Sequence, residues 1–210
     1  MVMSTARFNL IDPTLDPRSV ADRYRTMLEM ATYCDSNGFY SFTVEEHHGA
    51  ENGWSPTPLL NAAGITARTE NLAVNVTALL LPLHDPIRIA EDLAVLDLTS
   101  GGRVTTILGL GYRPSEYAAH RKDWTKRGQI MDECVETLLK AWTGEPFEYH
   151  GEMVRVTPKP LTQPHPVVGL GGTSKIAARR AARFGLPFFP SNHMPELEAY
   201  YYEKCARVMS

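Results

Sequence analysis

Residues 72–109 are LAVNVTALLLPLHDPIRIAEDLAVLDLTSGGRVTTILG, and they set the architecture of the chain. Leu72–Leu81 is rich in valine and leucine, which is typical of a strand covered on both faces. Asp85-Pro86 is a helix start, a capping side chain followed by proline, and Gly101-Gly102 ends the helix. Arg103–Gly109 is the next strand. The stretch therefore predicts strand, helix and parallel strand, the unit from which parallel sheets are built.

The same alternation runs through the rest of the chain. Such a pattern fits either a doubly wound sheet or a TIM-type (β/α) barrel. No G-x-G-x-x-G follows the first strand, so the barrel is favoured. A full barrel has eight strands and about 250 residues, so we predict an α/β fold with about six of the eight βα units. The other predicted strands are Ala6–Ile11, Phe39–His47, Val167–Leu170 and Leu186–Phe189.

We expect a single domain over residues 1–210 that lacks the last two strand–helix units at its C-terminus. Residues 147–157 predict a small β-hairpin inserted between two βα units, with its turn at His150-Gly151. Without the last two units, the first and sixth strands would have exposed edges, which invite pairing with another chain.

Composition excludes several classes of protein. The net charge is −3, and no basic patch indicates nucleic-acid binding. No apolar run approaches the roughly 18 residues of a membrane span, and the first residues do not resemble a signal peptide. The three cysteines are far apart, without a C-x-x-C pair. We therefore expect a cytoplasmic protein with no membrane association.

The sequence Glu45-Glu46-His47-His48 falls at the end of the second predicted strand. Catalytic groups of barrels lie at that end, and side chains of a strand alternate between its faces. Alternation predicts that Thr43, Glu45 and His47 face the barrel interior, where His47 could give or take a proton. A hydrogen-bonded structural histidine is the alternative. A metal is disfavoured, because adjacent histidines point apart and no local His/Asp cluster accompanies them.

Two glycine-rich segments follow later strands. Gly171, Gly172, Thr173 and Ser174 join a strand to a helix N-terminus, where free N–H groups and the helix dipole attract phosphate. An ordinary helix cap explains the same residues equally well. Residues 109–117, GLGYRPSEY, would let a planar ring or phosphate approach the backbone, with Arg113 or Arg127 neutralising charge; the alternative is a loop that needs glycine for its turns.

Four segments, taken in order, resemble the bacterial luciferase-like monooxygenase family, which includes F420-dependent oxidoreductases. They are EEHH at residues 45–48, the TALLLP…SGGRV stretch at residues 77–104, GLGYRPSEY at residues 109–117 and GGTSKIAARRAARFGLP at residues 171–187. The resemblance implies a TIM barrel that holds FMN or coenzyme F420 at its C-terminal face.

The resemblance also implies roles for individual residues. It places His47 at the catalytic histidine of the family, and Thr77-Ala78 at a strand where members often carry a non-prolyl cis peptide beside the flavin ring. It places Gly109, Gly111 and Tyr112 next to the cofactor. It places the phosphate at Gly171, Gly172, Thr173 and Ser174.

These expectations define a leading function and two alternatives. The leading one is a flavin-type oxidoreductase: a monooxygenase that uses reduced FMN and O₂, served by a flavin reductase, or an F420-dependent hydride-transfer enzyme. Its substrate is a small organic molecule, and we expect a homo-oligomer. One alternative is a non-catalytic flavin-binding or partner subunit derived by truncation. The other is a phosphate-binding barrel isomerase or lyase, for which only Glu45 and Glu46 supply carboxylates at a strand end.

Overall fold

The computed structural model describes residues 3–208. Its strands are β1 (Thr5–Arg7), β2 (Ser41–Val44), β3 (Ala73–Leu79), β4 (Val104–Leu108), β5 (Phe147–Tyr149), β6 (Glu152–Val154), β7 (Val167–Gly171) and β8 (Phe188–Phe189). Its α-helices are α1 (Pro17–Ser36), α2 (Pro58–Thr66), α3 (Pro86–Ser100), α4 (Pro114–Ala119), α5 (Arg127–Ala141), α6 (Lys175–Phe184) and α7 (Pro195–Val208). Leu81–Leu83 and Trp124–Lys126 form short 3₁₀ helices.

Six strands form one parallel sheet in the order β1-β2-β3-β4-β7-β8. Strands β5 and β6 form a separate antiparallel hairpin. The predicted α/β fold with six parallel strands and an inserted hairpin is therefore confirmed. Within the described residues β1 and β8 each pair with one neighbour, so the sheet is open between them.

The sequence signals fix the ends of three helices: Asp16-Pro17 predicts the start of α1, Asp85-Pro86 the start of α3, and Gly101 and Gly185 the ends of α3 and α6. The Asp16 side chain accepts hydrogen bonds from Arg18 N and Ser19 N at the start of α1, and Asp85 accepts from Arg88 N at the start of α3. Gly101 ends α3 in the left-handed conformation with φ of 66°, which a residue without Cβ adopts readily. These caps fix where α1 and α3 begin and where α3 ends.

Five of the six predicted strands extend beyond the observed ones: the sixth, predicted as Leu186–Phe189, is Phe188–Phe189, and the third and fourth are too long by one or two residues at each end. The physical reason is clearest for the first two. The first was predicted as Ala6–Ile11, but Leu10 has φ of 61°, outside the extended region, and β1 is Thr5–Arg7. The second was predicted as Phe39–His47, but β2 ends at Val44 because the backbone beyond it finds partners outside the sheet. There His47 N donates to Ser55 O at 2.9 Å.

The segment at residues 109–117 was predicted as a loop, which is wrong for its second half, because α4 begins at Pro114. Proline in the first helical position and Glu116 in the first turn are helix-start signals that the glycines before them obscured. The correction matters because α4 carries Glu116 to the site described below.

The core lies between the sheet and the helices. Phe42, Val44, Val74 and Val76 are completely buried on the helix-facing side, and each such side chain contributes about 1.5–3 kcal/mol through burial. The opposite faces of the same strands are polar, and they include Asn75. The sheet therefore buries one face and leaves a polar interior available to a ligand.

No helix among residues 3–208 is both long and apolar enough to cross a bilayer. Cys34, Cys134 and Cys205 are free thiols.

Candidate active site

A cavity of about 1050 Å³ lies at the carboxyl ends of β2, β3, β4 and β7. Its volume is at the upper end of the range for small-molecule and cofactor sites, about 300–1,000 Å³. The structure brings to its wall all ten residues to which the family resemblance assigns a role: His47, Thr77, Ala78, Gly109, Gly111, Tyr112, Gly171, Gly172, Thr173 and Ser174. Their individual roles remain predictions.

His47 is held by Glu116, which sequence reasoning did not single out. The Nδ1 atom of His47 lies 3.1 Å from Glu116 Oε1, and the same oxygen accepts from His48 N at 3.0 Å. Because a carboxylate only accepts, His47 Nδ1 carries the hydrogen, and Nε2 is the nitrogen left to exchange a proton. The Glu116 side chain is 1% exposed, so the pair is shielded from water.

Two aromatic rings surround the His47 imidazole. Trp54 contacts it edge-on with ring centroids 4.5 Å apart, and Tyr112 does so at 5.5 Å. Trp54 Nε1 and Glu116 Oε2 are buried polar atoms without a hydrogen-bond partner in the described structure. A donor and an acceptor left unpaired near the imidazole cost stability, and unpaired groups of this kind are found at binding and catalytic sites.

Glu46 belongs to a second network. Its Oε1 lies 2.7 Å from His48 Nε2 and 2.6 Å from His84 Nε2, while its Oε2 accepts from Leu80 N at 2.5 Å. Burial alone would raise the pKa of Glu46, but the hydrogen bonds from the two histidines outweigh it and lower the pKa to about 2. The residue is therefore an anion at neutral pH.

Strand alternation explains only part of this arrangement. Glu45 and His47 line the cavity as predicted, but Glu46 lines it as well. The reason is that β2 ends at Val44, so the alternation of a strand does not extend over residues 45–48. Glu45 also forms an ion pair with Arg7 at the edge strand β1.

The β3–β4 wall contains the predicted backbone feature. The Thr77–Ala78 peptide is cis, and the register between β3 and β4 shifts at this point. A Cβ atom on Gly109 would lie 2.7 Å from Ala78 Cβ, so a side chain at residue 109 is excluded by the strand next to it. Asn75, a polar residue within the apolar strand β3, donates to Ser41 Oγ at 3.0 Å.

The Gly171–Ser174 turn presents the N-terminus of α6 to the cavity. Ser174 is the N-cap residue, and its Oγ accepts from Ala177 N at 3.3 Å. A Cβ on Gly172 would lie 2.5 Å from Ala177 Cβ, so glycine allows this close turn. First-turn amides of α6 have no intrahelical acceptor and can bind an anion.

One of the two arginines expected near the glycine loop lines the cavity. It is Arg127, with its guanidinium 4.0 Å from the centre of the Trp124 ring, whereas Arg113 does not line the cavity. The helical spacing of Arg179, Arg180 and Arg183 predicts a basic, solvated face of α6, and this prediction is wrong for Arg180. Its side chain is 10% exposed, pairs with Asp132 at 2.5 Å and lines the cavity.

Residues 3–207 match the family described as luciferase-like monooxygenase, so the chain belongs to this family. It is 30% identical over 157 residues to the FMNH(2)-dependent dimethylsulfone monooxygenase of Pseudomonas putida, covering 71% of this chain and 42% of that protein. The chain spans about half the length of curated relatives that it matches.

Solved structures show the same fold. The FMN-bound oxygenating constituent of 3,6-diketocamphane monooxygenase from Pseudomonas putida superposes with a TM-score of 0.83 at 21% identity, covering 99% of this chain and 63% of that one. An F420-dependent secondary alcohol dehydrogenase bound to an F420–acetone adduct gives 0.75 at 17% identity, covering 99% and 64%. The described sheet is thus a TIM-type barrel with six of the usual eight strands.

Proposed function

We propose that this protein is a flavin-dependent oxidoreductase that binds FMN or coenzyme F420 in the cavity and acts on a small organic molecule. The observation that carries the proposal is the convergence of His47, the Thr77–Ala78 strand and the α6 N-terminus on one cavity. Membership of the luciferase-like family supports it, and so do relatives that use FMN or F420.

The residues present fit such a cofactor. Glycines 171 and 172 form a turn that a Cβ would fill, in front of helix amides suited to a phosphate. At the neighbouring strands β3 and β4, Ala78 and Gly109 contribute only small groups to the cavity wall. A phosphate-tailed planar ring would therefore have its phosphate at Gly171, Gly172, Thr173 and Ser174, and its ring beside Thr77, Ala78, Gly109, Gly111 and Tyr112.

The cofactor, when bound, supplies hydride transfer or the activation of O₂. His47 supplies the proton chemistry: its Nε2 takes a proton from the substrate, or gives one to it, while Glu116 keeps the hydrogen on Nδ1. Trp54 and Tyr112 contact the imidazole edge-on and help to fix its orientation. The protein thus contributes the position and the tautomer of the imidazole.

An isomerase or lyase is less favoured, because both candidate carboxylates are engaged. Glu45 is paired with Arg7, and Glu46 accepts hydrogen bonds from His48 and His84. O₂ and a flavin reductase as partners, the homo-oligomer and the cytoplasmic location expected from the sequence remain predictions.

The test is a titration of the purified chain with FMN and with F420, followed by visible absorption, and then turnover assays with reduced cofactor. We expect a saturable spectral change with one of the two cofactors and, with substrate candidates such as ketones and sulfones, turnover. Binding without any turnover would favour a cofactor-binding subunit. The absence of a spectral change with either cofactor would contradict the proposal.

A further inference from the structure

Glu46, His48 and His84 form a compact cluster behind His47, which we call the Glu46 cluster. Glu46 and His48 follow β2, and His84 follows the 3₁₀ helix at Leu81–Leu83. One oxygen of Glu46 and one ring nitrogen of each histidine lie within 4.8 Å of one another. From this geometry we propose that the Glu46 cluster binds a divalent transition-metal ion, with Zn²⁺ as the best-suited ion.

The chemistry of the donors points to a metal of this class. Two imidazole nitrogens and one carboxylate oxygen are a ligand set used by zinc and by other first-row transition metals, whereas Ca²⁺ and Mg²⁺ prefer oxygen alone. Within residues 3–208, the hydrogen-bond partners of the Glu46 carboxylate are the two imidazoles and the Leu80 amide, and none is a lysine or an arginine. The carboxylate charge is therefore available to a cation.

The ligand atoms need only small movements. At present His48 Nε2 and His84 Nε2 lie 2.7 Å and 2.6 Å from Glu46 Oε1, as hydrogen-bond donors. Tetrahedral ligands about 2.0–2.1 Å from Zn²⁺ stand roughly 3.3 Å apart. Each imidazole would move outward by about half an ångström and transfer its hydrogen to Nδ1, so that Nε2 faces the ion.

An ion can reach the cluster and be held there. The side chains of His48 and His84 are 15% and 26% exposed, while that of Glu46 is completely buried. The buried carboxylate is already anchored through its second oxygen to Leu80 N, which fixes it as a ligand before the ion arrives.

His120 lies beside the Glu46 cluster but is not one of its ligands. Its ring packs edge-on against His48 with centroids 4.3 Å apart, whereas the His84 ring is 6.4 Å away. Its Nδ1 donates to the Glu116 carbonyl oxygen at 2.8 Å. The three ligand atoms that lie within 4.8 Å of one another belong to Glu46, His48 and His84, so a water molecule would complete a tetrahedral site.

The proposed ligand atoms are not the groups assigned to proton transfer, although Glu46 lines the same cavity. His47 points to Glu116 and the cavity, while the Glu46 cluster ties the end of β2 to the segment after β3. A bound ion would therefore act structurally and stabilise the folded state, since a ligand that binds only the folded chain raises its stability. The site does not depend on which cofactor the cavity binds.

The experiment uses the full chain without any affinity tag, freed of metal by a chelator and titrated with Zn²⁺ by calorimetry. Co²⁺ serves as a spectroscopic probe, because tetrahedral Co²⁺ absorbs strongly in the visible region. We expect one ion per chain and a higher thermal midpoint with Zn²⁺. The variant His84→Gln keeps a hydrogen-bond donor for Glu46 but removes the imidazole ligand, and should weaken binding by at least about 10-fold.

The matched control is His193→Gln, because His193 is highly exposed and lies outside the cluster. It should bind Zn²⁺ as the parent chain does. Circular dichroism checks the folding of each variant, and His48→Gln replaces His84→Gln if the latter does not fold. Failure of the parent chain to bind at millimolar Zn²⁺, or equal binding by the parent and the folded cluster variant, would overturn the proposal.

Discussion

His47 and His48 are neighbours in the chain, yet they belong to two different regions of the molecule. His47 lines the cavity and is held by Glu116, whereas His48 is turned to the Glu46 cluster with His84. The difference arises beyond the end of β2 at Val44, where the His47 ring meets Glu116 and the His48 ring meets Glu46. It teaches that one short motif, EEHH, can serve two purposes: proton handling in the cavity and attachment of β2 to the segment after β3.

The largest effect should come from the cavity side of this comparison. His47→Ala is expected to lower turnover by about 10²-fold or more, because proton transfer is lost, with little change in cofactor affinity. Steady-state kinetics with reduced cofactor and a spectral titration measure the two quantities. Unchanged turnover would remove His47 from the mechanism.

The next effect should come from Glu116, which acts through His47. Glu116→Gln replaces the carboxylate at 3.1 Å from Nδ1 with an amide that can also donate, so the preferred tautomer is lost. We expect turnover to fall by about 10-fold while the dissociation constant of the cofactor stays the same. Glu116→Asp should recover part of the loss. Equal losses in kcat and in cofactor affinity would indicate a structural role instead.

A smaller effect on activity is expected from Ser174, at the α6 N-terminus. Ser174→Ala removes the cap of α6 and one hydroxyl at the proposed phosphate position. Stability should fall by about 0.5–2 kcal/mol, the usual cost of losing an N-cap. Cofactor affinity should weaken several-fold, with turnover at saturating cofactor unchanged. If affinity is unaffected while stability falls, the turn is an ordinary helix cap, the alternative left open by the sequence.

Asp35 provides a comparison outside both regions. It accepts hydrogen bonds from Glu70 N, Asn71 N and Leu72 N, which lower its pKa. A lowered pKa contributes stability above the unfolded value of about 3.9, and that contribution is lost as pH falls through the folded value. Asp35→Asn should therefore destabilise the chain at pH 7 by about 1–3 kcal/mol and reduce its loss of stability in acid. Denaturant unfolding at pH 7 and at pH 3 measures this, and turnover per folded molecule should not change.

Local signals were sufficient for most of the fold. The Asp16-Pro17 and Asp85-Pro86 starts and the Gly101 and Gly185 ends gave the helices, because caps act over a few neighbouring residues. Strand ends were less predictable. Beyond the end of β2, the His47 amide donates to the Ser55 carbonyl oxygen and not to a neighbouring strand, and no local pattern indicates this.

The site was only partly predictable, because residues distant in the sequence complete it. Residues that follow strands, such as His47 and Ser174, were placed on one cavity because parallel strands end together. Their partners were missed: Glu116 is 69 positions from His47, and His84 is 38 positions from Glu46. No local pattern encodes such pairs, although the Pro114-Ser-Glu116 helix start was a usable signal.

The most direct test of the central claim is a crystal structure of the chain with FMN or F420, whichever binds in solution. The account predicts that the ring lies beside Ala78 and Gly109 with His47 facing it, and that the phosphate lies at the turn formed by Gly171 to Ser174. A ring bound elsewhere, or a phosphate remote from the α6 N-terminus, would contradict it.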